Sequence, residues 1–208
     1  GAREMLLGAE YDTIYHEHFS YLTLCTVERI FTAAGLRIWN VEELTTHGGS
    51  IRVYGCHSED TRQASPAVSA MLAEEKRCGL QTRGTYQHFQ ARAERIKDDL
   101  LVFLIEQKRA GKKVAGYGAA AKGNTLLNYA GIKPDLLPFV CDAAVAKQGK
   151  FMPGSHIPIL RPATLAKQRP DYLVILPWNI AAEVKQQNAQ LAALGTKFVT
   201  AVPKLEIA

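Results

Sequence analysis

The period of the apolar positions changes several times along this chain. Between Tyr21 and Ala34, Leu22, Val27, Ile30 and Phe31 fall on one face of a helix, and Gly35 supplies its stop. Leu36-Arg37-Ile38-Trp39-Asn40-Val41 then alternates apolar and polar residues, the pattern of a half-buried strand. Ile51-Arg52-Val53-Tyr54 repeats the alternation, and His47-Gly48-Gly49-Ser50 reads as a turn, so an antiparallel pair is expected. A helix and a hairpin are little material for an independent core. Residues 1–58 are therefore expected to be the tail of a larger domain.

Ser65-Pro66 marks a helix start, with Ser at the N-cap and Pro at the first helical position. A second helix is predicted from Tyr86 to Ala110, where Phe89, Ala93, Ile96, Leu100 and Phe103 recur at helical spacing and Gly111 ends the run. Residues 59–111 thus read as a helical connector. From Lys112 onward the pattern becomes mixed. Strands are predicted at Lys113–Tyr117 and Phe198–Val202, with further apolar runs at Leu137–Cys141 and Tyr172–Leu176. Helical spacing occupies Thr125–Ala130 and Ile180–Leu194. Strands alternating with helices imply an α/β domain over residues 112–208, built on a doubly wound, mostly parallel sheet.

Composition narrows the class without naming a function. Of 208 residues, 47% are apolar and 22% charged, which excludes a disordered tail, a collagen or a coiled coil. No apolar run approaches the ~18 residues of a membrane span, and no leader opens the chain, so no membrane partner is expected. The first residue is Gly1 rather than Met, which suggests a piece of a longer chain. The net charge of +5 suits an anionic ligand, but the basic residues are dispersed, which argues against nucleic acid. Cys25, Cys56, Cys78 and Cys141 form no C-x-x-C pair, so neither a zinc site nor a redox motif is indicated. Scattered thiols fit a reducing cytoplasm.

Three clusters carry possible chemistry. In Gly116-Tyr117-Gly118-Ala119-Ala120-Ala121-Lys122-Gly123-Asn124-Thr125, the residues Gly116, Gly118 and Ala121 match G-x-G-x-x-G/A after a strand. Asp142 stands about where a ribose-binding acid would. Lys122 near a helix start opposes the helix dipole unless an anion compensates it, which favours a phosphate there over a turn that binds nothing. The second cluster, Tyr15-His16-Glu17-His18, places four proton-handling side chains in a row, suited to removing a proton beside a carbonyl. Local capping and metal binding are the competing readings, but no Cys or His partners stand at ligand spacing, and no metal is expected. The third cluster is Leu176-Pro177-Trp178-Asn179, just past an apolar strand. There Trp178 either stacks on a base or sugar or packs in the core, and Asn179 either binds the ligand or caps the next helix. Lys147-Gln148-Gly149-Lys150 and Pro153-Gly154-Ser155-His156 form a polar loop, either ordinary surface or a cover over a charged ligand. His47 and His57 read as structural.

Taken in order, Tyr11 to Tyr21, His47-Gly48-Gly49-Ser50, Gly116 to Asn124, Lys147 to Lys150 and Leu176 to Asn179 resemble the C-terminal portion of the sugar-nucleotide C-methyltransferases. The resemblance covers nearly the whole chain. It implies a Rossmann-like C-terminal domain holding a nucleoside-diphosphate sugar, preceded by the closing helix and hairpin of a methyltransferase domain. It also implies S-adenosylmethionine as cofactor, bound mainly by a domain not contained in this chain. A cysteine-rich zinc module and a glycine-rich methyltransferase motif, both expected of the family, are missing from these residues. The implied reaction is base-catalysed enolisation of a 4-keto-deoxysugar followed by methyl transfer to C3. By this similarity His18 is the base, Tyr15 and Glu17 orient it or stabilise the enolate, and His16 is a weaker candidate. Gly116, Gly118, Lys122, Asn124, Asp142, Lys147, Trp178 and Asn179 are the expected substrate contacts. Two other classes compete: an NAD(P)-dependent oxidoreductase, suggested by the glycine pattern with Asp142, and a non-catalytic sugar-nucleotide-binding module. The oligomeric state is left open.

Overall fold

The structure, a computed structural model, describes residues 1–44 and 49–208; the predicted turn at His47-Gly48 lies outside the described residues. The chain divides into two compact units. One contains residues 1–9 and 18–91, and the other residues 10–17 and 92–208.

In the first unit, α1 (Ala2–Gly8) precedes α2 (Leu24–Ala33), and the hairpin strands β1 (Leu36–Leu44) and β2 (Ser50–His57) pair antiparallel. Helix α3 (Pro66–Arg77) follows, with Ser65 as its N-cap accepting from the Ala67 amide at 3.1 Å. The short helix α4 (Arg83–Gln87) leads into α5 (Phe89–Arg109), which begins in this unit and continues in the other. Leu24, Ile38, Val41, Val68 and Met71 form the buried core, with Val27, Phe31, Ile51 and Val53 packed against it. Ile38 and Val41 are three apart, which strict alternation forbids on one face. A bulge resolves this: Ile38 pairs with Gly55 and Asn40 with Tyr54, so Trp39 is the extra residue and the phase shifts. The start of α2 is held from a distance. The Glu75 carboxylate, 2% exposed, accepts from the amides of Leu24 at 2.6 Å and Cys25 at 2.9 Å. It places negative charge at the helix start, where the dipole favours it.

The second unit is built on a sheet of order β5-β4-β3-β6-β7-β8. The strands are β3 (Val114–Tyr117), β4 (Val140–Cys141), β5 (Ile159–Leu160), β6 (Tyr172–Ile175), β7 (Lys197–Thr200) and β8 (Glu206–Ile207). All neighbours run parallel except β7 with β8. The predicted doubly wound, mostly parallel sheet is therefore observed, and its order reverses at β3, between β4 and β6. Every residue of β3 is buried, as a sheet covered on both faces requires. Ala115, Tyr117, Leu173 and Ile175 pack with Leu165 of α7 (Ala163–Gln168), Val184 of α8 (Ala181–Gln187) and Leu191 of α9 (Ala189–Ala193). From α5, Phe103 meets Tyr172 edge-on at 5.2 Å between ring centroids. Helix α6 (Ala121–Tyr129) leaves the end of β3 after a three-residue loop.

Several predicted elements differ in extent. The helical spacing over Ile180–Leu194 resolves into α8 and α9, broken at Asn188, whose side-chain amide donates to the Val184 carbonyl at 2.8 Å. The apolar run Leu137–Cys141 pairs as strand only at Val140–Cys141. Helices α1 and α7 and strands β5 and β8 carry too few residues for a periodicity to show. Among the described residues, no helix is long and apolar enough to cross a membrane.

Replacing Glu75 with Ala strands two buried amides and is expected to destabilise the protein by about 2–3 kcal/mol. Glu75→Gln, which keeps one acceptor oxygen, should lose less. Urea titration followed by circular dichroism reads the difference, and equal stability of all three proteins would show that the contact contributes nothing.

Candidate functional site

In sheets of this kind ligands gather beyond the carboxyl ends of the strands, near the point where the order reverses. Here that point is filled by the chain itself. Gly118, directly after β3, has φ +92°, and a Cβ built on it would lie 2.4 Å from Cδ of Pro177, just past β6. A Cβ on Gly116 would meet Val140 at 2.9 Å, and one on Gly123 would meet Leu176 at 2.7 Å. The glycines of the expected nucleotide fingerprint thus serve close packing within the protein.

Lys122 and Trp178 stand on the two sides of this junction, one opening α6 and the other following β6. Lys122 is only 6% exposed, and its Nζ lies 4.4 Å from the Trp178 ring centroid. The Trp178 indole N–H donates to Oδ2 of Asp12 at 2.7 Å. Asp12 is fully buried in a 3-10 turn, Tyr11–Thr13, that packs on α6. Burial raises the Asp12 carboxyl above its ordinary value, opposed by the Trp178 hydrogen bond and the Lys122 charge. Burial likewise lowers the Lys122 ammonium, opposed by Asp12 and then Glu10. Asp12 and Glu10 thus both bring negative charge to the neighbourhood of Lys122. Asp12 is not legible as a site residue from local spacing, although it lies four positions before His16.

Asp142, at the end of β4, is also engaged. Its carboxylate accepts from the amides of Ala119 and Ala144, both at 2.7 Å, and pairs with Lys147 at 3.3 Å. Both oxygens take part in contacts within the protein.

The open space lies beside α6, on the β4 and β5 side. A cavity of about 360 Å³ is lined by the backbone of Ala119–Ala121 and by His16, Asn124, Lys147, Lys150 and Phe151. Helix α6 has Ala120 at its N-cap, and the cap residue offers no side-chain hydrogen bond, so the positive end of the helix faces this space. Oδ1 of Asn124 has no hydrogen-bond partner among the described residues. Phe151 is 63% exposed at the rim. Lys150 lies in the polar loop expected either as surface or as a cover over a charged ligand, and Phe151, which spacing does not single out, joins it at the rim. A second cavity of about 380 Å³ sits at the amino ends of the strands, between Lys112 and Phe139, and none of the candidate residues lines it.

The four residues of the Tyr15–His18 run are distributed as follows. Tyr15, half-buried, continues the 3-10 turn through its amide bond to the Thr13 carbonyl at 3.1 Å. His16 and Glu17 are exposed, and His16 reaches the cavity. His18 belongs to the first unit, exposed, with its ring 6.3 Å from that of Tyr21. Asn179 is exposed in a 3-10 turn after β6. Among the described residues, no group of three His, Cys, Asp or Glu side chains converges as a metal site.

Comparison with known proteins gives two findings. Residues 45–203 match the family model described as "C-methyltransferase C-terminal domain". The C-methyltransferase NovU of Streptomyces niveus is 38% identical over 201 residues, covering 97% of this chain and 48% of NovU. The chain thus spans about half the length of the curated relative it matches.

Gly118→Ala combines a strained φ with a backbone-to-proline clash, and a loss of at least ~2 kcal/mol is expected. Gly84→Ala, in α4 with nothing within 4 Å of the new methyl, is the control and should be neutral or stabilising. Denaturant midpoints for the two variants provide the comparison; equal values would contradict the packing described for Gly118.

Proposed function

The chain belongs to the C-methyltransferase C-terminal domain family, and from that premise we propose that it holds the substrate and removes its proton within an S-adenosylmethionine-dependent C-methyltransferase acting on a nucleoside-diphosphate 4-keto-deoxysugar. The observation that carries the reading is the cavity at the uncapped start of α6. A diphosphate suits the positive end of α6 flanked by Lys147 and Lys150, since dipole and cations act together there. Phe151 and the neighbouring Met152 offer apolar surface to a base or a deoxysugar ring. Asn124 and Lys147 act as direct contacts in this reading, and Asn179 is accessible to a ligand. Gly116, Gly118, Lys122, Asp142 and Trp178 shape the wall from within.

His18 takes the proton from C3 of the sugar. The electron pair of the C–H bond moves into a C3–C4 double bond, and the negative charge goes to the ketone oxygen at C4. Tyr15 donates a hydrogen bond to that enolate oxygen, Glu17 orients the base, and His16 stands in reserve at the cavity wall. Bound S-adenosylmethionine supplies an electrophilic methyl group to C3. The residues described here do not form its cradle, because the glycines that would provide one face Val140, Pro177 and Leu176. No step through the methyl donor is assigned to this chain. The family match favours methyl transfer over the NAD(P)-dependent oxidoreductase reading. Residues 1–58 are read as the closing part of a methyltransferase domain, 59–111 as a helical connector and 112–208 as the sugar-nucleotide domain. A cytoplasmic location fits the four free cysteines.

Calorimetric titration with thymidine diphosphate tests the binding claim. Lys147→Ala and Lys150→Ala are each expected to weaken binding about tenfold and to flatten its salt dependence; unaltered affinity in both would place the diphosphate elsewhere. In the full-length protein, His18→Ala should abolish methylation while leaving thymidine diphosphate binding intact, and unchanged turnover would remove His18 as the base.

A further inference from the structure

We propose that Asp12, Trp178 and Lys122 form a buried clasp that holds the segment carrying Tyr15, His16 and Glu17 over the carboxyl end of the parallel sheet, making Asp12 and Trp178 positioning residues. The existence of the clasp is independent of any substrate; its consequence for proton transfer rests on the function proposed above.

Local sequence does not dictate where residues 10–17 lie. They are separated from Trp178 by 166 positions, yet they pack within the second unit. A carboxylate with 0% exposure persists only where donors and a cation compensate its lost hydration. Trp178 Nε1 supplies the donor to Oδ2, and Lys122 supplies a cation from above the indole ring, while Oδ1 has no hydrogen-bond partner among the described residues. Each member answers a need of the others. The indole N–H, partly withdrawn from water, requires an acceptor, and the buried ammonium near the start of α6 requires a negative neighbour. Glu10, 8% exposed, adds a second carboxylate to the same neighbourhood.

The turn that carries Asp12 is tied to Tyr15 by successive local hydrogen bonds. Thr13 Oγ1 donates to the Glu10 carbonyl at 2.7 Å, the Ile14 amide to Tyr11 at 2.9 Å, and the Tyr15 amide to Thr13 at 3.1 Å. The Tyr11 ring lies edge-on to Tyr129 of α6 at 5.1 Å, a second attachment to the same helix. On this proposal a displacement of the Asp12 turn moves Tyr15, which is bonded to it, and with Tyr15 the residues that follow. Proton transfer and enolate stabilisation tolerate little misplacement, since a shift near 1 Å costs on the order of 10²-fold in rate.

Trp178→Phe keeps the ring beneath Lys122 and deletes only the donor; Asp12→Asn keeps the volume and deletes the charge. Hydrogen–deuterium exchange by mass spectrometry on this chain is expected to show amides 13–17 exchanging at least tenfold faster in Trp178→Phe and about threefold faster in Asp12→Asn, with β3 and β6 unchanged. In full-length enzyme, Trp178→Phe should lower kcat ten- to a hundredfold at an unaltered KM for the sugar nucleotide. Wild-type exchange over 13–17 in both variants would overturn the clasp. Faster exchange with unaltered kcat would overturn the positioning role. Should Trp178→Phe fail to fold, Asp12→Asn answers the same question. If the wild-type enzyme neither binds a sugar nucleotide nor transfers a methyl group, the functional reading falls while exchange still decides the clasp.

Discussion

A carboxylate with no access to water constrains everything around it, and in the second unit that group is Asp12. Its charge is met by an indole N–H from the loop after β6 and a lysine from the helix after β3. These are the two loops that part company where the strand order reverses, and in many parallel sheets the space between them receives the ligand. Here it receives residues 10–17 of the same chain. The contact of Gly118 with Pro177 closes the same junction from below. Space for a ligand is left beside α6, under the loop that follows β4.

This arrangement separates two tasks that a glycine-rich loop often combines. The glycines provide close approach of the chain to itself, and Asp142 secures the loop by accepting from Ala119 and Ala144. The uncapped first turn of α6, with Lys150 unpaired among the described residues, presents the positive potential that an anion would need. In the first unit a distant acid does cap a helix: Glu75 of α3 accepts from the leading amides of α2.

Much of the fold was legible because its signals are local. Ser65-Pro66 begins a helix and Gly111, with φ +68°, ends one, since those conformations follow from the residues themselves. The buried strands β3 and β6 were legible as short apolar runs. The bulge at Trp39 was not, because a single inserted residue is invisible until the partner strand fixes the register. The break at Asn188 was likewise hidden, since a side chain bonding its own helix leaves the apolar spacing intact. The site was half legible. The chemistry of Tyr15 to His18 and the phosphate-like context of α6 are written in residue type and spacing. The partners of Lys122, Asp142 and Trp178 are not.

Taken alone, then, the sequence determined which residues are capable of proton transfer, where the chain turns, and that a parallel sheet must form. It also carried the family, through motifs whose order along the chain is itself information. Only the tertiary structure decided which of those capable residues are left for a ligand. The reason is physical: a lysine, an aspartate or a tryptophan satisfies a buried partner as readily as a bound one, and the choice depends on what is brought to within about 3 Å from elsewhere in the chain. Asp12 is brought to Trp178 across 166 residues, and that single proximity sets the Lys122 ammonium over an indole that is itself bonded to a buried acid.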